Sequence, residues 1–111
     1  MKLIHKVLAP MASLKIQERY VIDGTKEEYL LPEELLNSAK NILFEQKGIV
    51  LEENEILSDL KKAIRAIEIP DEITGDELVR NYEPWRRIRE LSKDYLVKDG
   101  FDLEGWERNE L

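Results

Sequence analysis

The sequence predicts an α+β fold, in which a small N-terminal antiparallel β-hairpin or meander precedes three to four helices. Three observations support this prediction. Apolar and polar residues alternate over residues 14–22, an Asp-Gly pair follows directly, and apolar residues recur at helical spacing over most of the remaining chain. A mostly α-helical chain is the alternative. The length of 111 residues predicts a single domain, residues 1–111.

Two segments near the N-terminus are predicted as strands, residues 2–8 and residues 14–22. The linker between them, residues 9–13, contains a proline and small side chains that suit a turn. In the second segment Glu18 interrupts the apolar face, which is typical of an edge or partly exposed strand. The apolar face consists of Leu14, Ile16, Tyr20 and Ile22.

The pair Asp23-Gly24 predicts the turn of the hairpin. A type I′ turn needs positive φ angles at both central residues, and Asp-Gly is among the pairs that adopt them most readily. A competing interpretation starts from Thr25, which has Glu28 three residues later. This spacing is that of a capping box, which would begin a helix instead.

The middle of the chain predicts two helices. Pro32 suits the first turn of a helix over residues 32–47, and Gly48 would end it. The second helix, residues 54–68, has the most regular apolar stripe in the chain and stops before Pro70.

The C-terminal third predicts a short helix and a long one. Thr74 and Glu77 form a capping box that begins the short helix. The long helix covers residues 84–98, begins at Pro84 and ends at Asp99-Gly100, with Trp85 in its apolar stripe. The acidic tail that follows is predicted to hold at most one further short turn.

Composition excludes several classes of function. The formal net charge of −7 disfavours generic binding to nucleic acids and to anionic membranes. The absence of cysteine excludes disulfides, thiolate catalysis and Cys-ligated zinc, and it fits a cytoplasmic protein. His5 is the single histidine, and the glycines form no phosphate-binding loop. No cofactor, metal site, catalytic residue or membrane span is therefore predicted.

Three sets of residues are candidates for contact with a partner protein. Clustered carboxylates could face a basic surface, and aromatic side chains outside the predicted apolar stripes could anchor an interface. The acidic candidates are Glu52, Glu53, Glu55, Asp71, Glu72, Asp76 and Glu77, and the aromatic ones are Phe44 and Trp106. The third set is a basic flank of the last long helix, consisting of Arg86, Arg89 and Lys93.

This basic flank has two interpretations. Helical geometry places its side chains together beside the apolar stripe, where they would form a solvent-exposed face with salt bridges such as Arg86 to Glu90. The alternative is a site for an anionic ligand or, less favoured, for nucleic acid, because three basic side chains release few counterions against a negative background.

The function that these residues predict is that of a non-catalytic protein-binding module with a basic partner. In composition the chain is similar to acidic, cysteine-free immunity proteins and antitoxins, although it shares no motif with them. That likeness implies an inhibitor of a basic enzyme such as a nuclease toxin. A homo-oligomeric structural or accessory subunit is the alternative.

Overall fold

The longest of the described helices, α6, spans Glu83–Lys98 and lies at the centre of the packing. The computed structural model describes residues 2–25, 29–46, 51 and 53–111. The first helices are α1, Leu3–Ala12, and α2, Leu14–Gln17, which is continued by a π-helical turn, Glu18–Ile22. Next come α3, Pro32–Lys40, which is continued by a second π-helical turn, Asn41–Glu45, and α4, Glu55–Ala66. The helix α5, Gly75–Asn81, precedes α6, and α7, Leu103–Glu110, follows it.

The prediction of an α+β fold is wrong, because the described residues are helical and contain no strand. Of the predicted first strand, residues 2–8, all but the N-cap residue Lys2 belong to α1, whose buried side chains follow helical spacing through Ile4, Leu8 and Met11. Residues 14–22 form α2 and its π-helical turn. A short apolar alternation does not decide between strand and helix, and here packing decides, since α1 lies against α6 and the π-helical turn lies against α5.

The predicted hairpin at Asp23-Gly24 is also wrong. Among the described residues the backbone around it makes a single long-range hydrogen bond, from the Leu30 amide to the Tyr20 carbonyl at 3.0 Å, and no ladder. The amide of Asp23 instead bonds the carbonyl of Glu18 at 3.0 Å and closes the π-helical turn. The competing capping box depends on residues 26–28, which lie outside the described part of the chain.

The two helices predicted for the middle of the chain are present. Pro32 occupies the first turn of α3, and the predicted end at Gly48 lies outside the described residues. Asn54 caps α4 through its side-chain oxygen, which accepts the Leu57 amide hydrogen at 2.9 Å.

Both C-terminal helices are confirmed as well. The Thr74 hydroxyl accepts the Glu77 amide hydrogen at 3.1 Å and caps α5. The end of α6 is a Schellman motif with Gly100 at φ +79°: the Phe101 amide bonds the Leu96 carbonyl at 2.9 Å, and the Gly100 amide bonds that of Val97 at 3.1 Å. The tail, predicted as a short turn, is the helix α7.

Most of the buried apolar residues form one cluster around α6. Trp85, Ile88 and Leu96 are fully buried there, as the stripe predicts, and α1 and α4 cover them. In the part of the chain that the structure describes, no helix is both long and apolar enough to cross a membrane.

Candidate functional site

Gln17 joins the end of α1 to α6 through a fully buried side chain. Its amide nitrogen donates to the carbonyl oxygens of Pro10 at 3.0 Å and Met11 at 2.8 Å, near the C-terminal end of α1. Its amide oxygen accepts the indole hydrogen of Trp85 at 3.0 Å and a guanidinium hydrogen of Arg89 at 3.1 Å. All four hydrogen bonds available to this amide are therefore made.

Arg89 is buried, with only 7% of its surface exposed, although the sequence places it on a solvent-exposed flank. Its Nη1 also donates to the carbonyl of Val79, in α5, at 2.7 Å. Burial lowers the pKa of Arg89, while the nearby carboxylate of Glu90 opposes that shift. A helical wheel of α6 alone cannot show that other helices cover this side.

A surface groove of about 570 Å³ opens beside Arg89, and we call it the Arg89 groove. Residues of α2, α6 and α7 line most of it. The charged lining residues are Lys15, Glu18, Arg89, Glu90, Lys93, Asp102, Glu104 and Glu107, and the apolar ones are Ala12, Leu14, Val97, Phe101 and Leu103.

A second surface cavity, of about 470 Å³, is lined by residues of α1, α2 and α7 and by Tyr29 and Leu30; we call it the aromatic pocket. Its lining residues are Pro10, Ile16, Tyr20, Tyr29, Leu30, Trp106 and Glu110. Trp106, a candidate from the sequence, lies here half-buried against the core. The Tyr20 hydroxyl donates to the main-chain carbonyl of Glu110 at 3.4 Å, which links the π-helical turn after α2 to α7.

The basic flank of α6 is divided between two environments. Arg86 is exposed and pairs with Glu83 at 3.3 Å, rather than with Glu90 as the sequence suggests. Lys93 is exposed and lines the Arg89 groove together with Arg89 itself. The three basic side chains therefore do not form one continuous solvated face.

Several acidic candidates form local ion pairs instead of a common site. Glu53 pairs with Lys61 at 3.0 Å, and Asp76 pairs with Arg80 at 2.7 Å. Arg80 also reaches Glu18 at 3.1 Å.

The other acidic candidates are held in less specific ways. Glu55 and Glu77 lie exposed in the first turns of α4 and α5, where a negative charge stabilises a helix. Asp71 and Glu72 are exposed in a turn. Glu52 lies outside the described residues.

Phe44 is half-buried against the core, and the guanidinium of Arg65 lies over its ring, 4.1 Å from the centroid. This arrangement is a cation–π contact, which covers one face of the ring. The prediction that Phe44 contacts a partner stays a prediction.

Two polar contacts, one partly buried and one buried, have no counterpart in the sequence analysis. His5 Nε2 donates to the carboxylate of Asp99 at 2.6 Å, and Lys2 reaches the same oxygen at 3.3 Å. The hydrogen bond from His5 is the main reason that the pKa of Asp99 is lowered, and burial opposes it. Ser13 donates to the buried carboxylate of Glu107 at 2.5 Å. These contacts join residues more than 90 positions apart, so no local sequence pattern indicates them.

Comparison with known proteins gives no relative: no protein-family model matches the chain, and no curated protein or solved structure matches it significantly. Among the described residues, no three histidines or carboxylates are grouped so as to hold a metal ion. The candidate sites therefore rest on geometry alone, and they are the aromatic pocket and the Arg89 groove.

Proposed function

We propose that this chain is a non-catalytic protein-binding module that docks its partner at the aromatic pocket. The observation that carries the proposal is that three aromatic side chains, Tyr20, Tyr29 and Trp106, line one surface cavity, with Tyr29 45% exposed. Tyrosine and tryptophan are enriched among the residues that dominate the binding energy of protein interfaces. A cavity of this kind suits an apolar side chain from a partner.

The charge around the aromatic pocket favours a basic partner. Glu110 is the charged residue among the described residues that line it, and the whole chain carries −7. A partner that presents an apolar side chain beside a lysine or arginine would match both features. Opposite charges also accelerate the encounter of two proteins.

The sharpest form of this proposal is an inhibitor of a basic enzyme, for example a nuclease toxin, acting in the cytoplasm. Inhibition would follow from occupation of the basic substrate-binding surface of that enzyme, and it requires no chemistry from this chain. The acidic surface supports this reading, together with the absence of cysteine.

The test replaces Tyr29 with alanine. Capture from the native host lysate supplies the candidate partner, which is then purified and titrated calorimetrically. We expect Tyr29→Ala to weaken binding by roughly tenfold or more, as the loss of an interface anchor does. Leu3→Ala is the matched control, because Leu3 is 47% exposed and lines a different cavity. It should leave the affinity unchanged.

Other outcomes place the interaction elsewhere. Unchanged binding by Tyr29→Ala with loss of binding by Phe44→Ala would move the docking surface to the Phe44 and Arg65 side. Affinity that does not fall as salt rises would contradict a basic partner, because attraction between opposite surface charges is screened by salt. Recovery of RNA, or of a second copy of this chain, instead of a basic protein would reject the proposal.

A further inference from the structure

The guanidinium of Arg89 is only partly used by its neighbours. It has five N–H donors, and both hydrogen bonds it makes come from Nη1, to Gln17 and to the Val79 carbonyl. Among the described residues, neither Nη2 nor Nε has an acceptor, and no carboxylate forms a salt bridge with Arg89. A buried cation therefore borders the Arg89 groove with unused donors.

An anion that enters the groove would find these donors accessible. Nη2 and Nε are not fully buried, because Ser92 Oγ is the one fully buried side-chain polar atom without a hydrogen-bond partner among the described residues. The carboxylates whose charge acts on Arg89 are those of Glu90 and Glu18. Glu18 forms a salt bridge with Arg80, however, and Glu90 is exposed. Gln17 and Val79 supply only neutral oxygens. They orient the guanidinium of Arg89 but do not neutralise its charge.

The charges around the groove favour a monoanion over a dianion. The lining carries three basic side chains and five acidic ones, so it repels anions at long range and repels a dianion such as phosphate more than a monoanion. A carboxylate has a single negative charge, and its two oxygens match the planar fork of an arginine. Recognition would then depend on short-range hydrogen bonds to Arg89, with Lys93 exposed beside it.

The apolar lining indicates what the carboxylate is attached to. Leu14 is 41% exposed and Val97 is 59% exposed, and both line this groove. Covering such side chains stabilises a complex by roughly 25 cal/mol per Å² of apolar surface removed from water.

We propose that the Arg89 groove binds a monocarboxylate that carries a short aliphatic group, with the carboxylate on the free donors of Arg89 and the aliphatic group between Leu14 and Val97. Two sources provide this chemistry, a free aliphatic acid and the C-terminus of a peptide that ends in an aliphatic residue. The site is distinct from the aromatic pocket, and it does not depend on the function proposed there.

The test follows backbone and side-chain N–H signals by NMR during titration with butyrate. The chain has two tryptophans, which serve as reporter and internal control. The Trp85 indole shares its acceptor, Gln17, with Arg89, so its signal should shift together with the Arg89 Nε–H signal. Trp106 lines the aromatic pocket instead, and its indole signal should not move. Butyramide, the neutral analogue, should cause no shift.

Substitutions then assign the contacts. Arg89→Lys keeps the charge but removes the fork, and we expect roughly tenfold weaker butyrate binding. Arg86→Lys is the matched control, since Arg86 is exposed and outside the groove, and it should bind as the wild type does. If Arg89→Lys fails to fold, Val97→Ser is a surface variant that should remove the preference for butyrate over formate.

A peptide arm separates the two sources. N-acetyl-glycyl-valine with a free carboxylate should bind at least as well as butyrate, whereas its amide should not bind, and a preference of about tenfold for the peptide assigns the site to chain termini. Equal shifts from butyrate and butyramide, stronger binding of inorganic phosphate, or no shift at Trp85 would each overturn the proposal and leave Arg89 with a structural role only.

Discussion

The N-terminal helices α1 and α2 and the long helix α6 pack against one another, but different forces specify them. In α6 the local sequence specifies both ends, through Pro84 in the first turn and Gly100 after the last. In α1 the first residue has no side-chain cap, and Pro10 lies inside the helix. The short helix α2 has a local cap, since Ser13 Oγ accepts the Ile16 amide hydrogen at 3.1 Å. The helix α1 depends instead on contacts with other elements, and Gln17 of α2 provides the most concentrated set of hydrogen bonds between α1 and α6.

The largest effect on stability is expected for Gln17→Leu. Leucine is similar in size but leaves the Trp85 indole and one Arg89 hydrogen without their acceptor, and it uncaps the Pro10 and Met11 carbonyls. Because buried polar groups without partners are costly, we expect the free energy of unfolding to fall by about 3 kcal/mol. Urea denaturation followed by circular dichroism measures it.

Two further variants control this experiment. Gln46→Leu changes the same residue type at an exposed position, and we expect an effect within about 0.5 kcal/mol. The double variant Gln17→Leu/Arg89→Met removes the buried cation together with its acceptor, so it should recover part of the loss in a double-mutant cycle. If Gln17→Leu were as stable as Gln46→Leu, the N-terminal helices would not depend on this network.

A smaller effect on stability is expected at the end of α6, where a single residue of the local sequence, Gly100, ends the helix. Gly100→Ala places a Cβ at a φ of +79°, which disfavours every residue except glycine, and we expect a loss of about 1 kcal/mol. No heavy atom lies within 4 Å of that Cβ, so the loss comes from backbone strain alone. Gly100→Asn should lose less, since asparagine tolerates this conformation better. Equal stabilities for all three proteins would contradict the Schellman end.

These two regions explain how much of the fold the sequence could predict. The helices α4, α5 and α6 carry their own caps, at Asn54, Thr74 and Gly100, and their predicted positions are confirmed. The strands were predicted from apolar alternation, which is short here and also fits a helix whose buried side chains are chosen by its neighbours. Gln17 fits the polar face of that alternation, yet it is buried, because it bonds residues up to 72 positions away.

The same difference between local signals and long-range contacts applies to the candidate sites. Trp106 is a candidate because it is an aromatic residue outside the predicted apolar stripes, and it lines the aromatic pocket. Tyr20 and Tyr29 are not candidates, because only folding brings them beside it. Arg89 was a candidate for its charge, whereas its burial depends on Val79 and Gln17, on two other helices. Sequence can therefore nominate residue types, but it does not assemble a cavity from separate elements.

The smallest expected effect concerns the contact that joins the two regions, between His5 on α1 and Asp99 at the end of α6. The pKa of Asp99 is lowered in the folded chain, so its contribution to stability is complete above the unfolded value of about 3.9 and is lost as the pH falls through the folded value. We therefore expect wild type to be more stable than Asp99→Asn at pH 6, and the difference to shrink as the pH falls below about 4. It should be lost once Asp99 is protonated in the folded chain as well and no longer attracts Lys2 and His5. Urea midpoints measured across this pH range test the prediction. Asp94→Asn, which removes a carboxylate from an exposed position of the same helix, corrects for the change in net charge. A difference that stays constant from neutral to acidic pH would show that Asp99 links α1 to α6 by its shape and not by its charge.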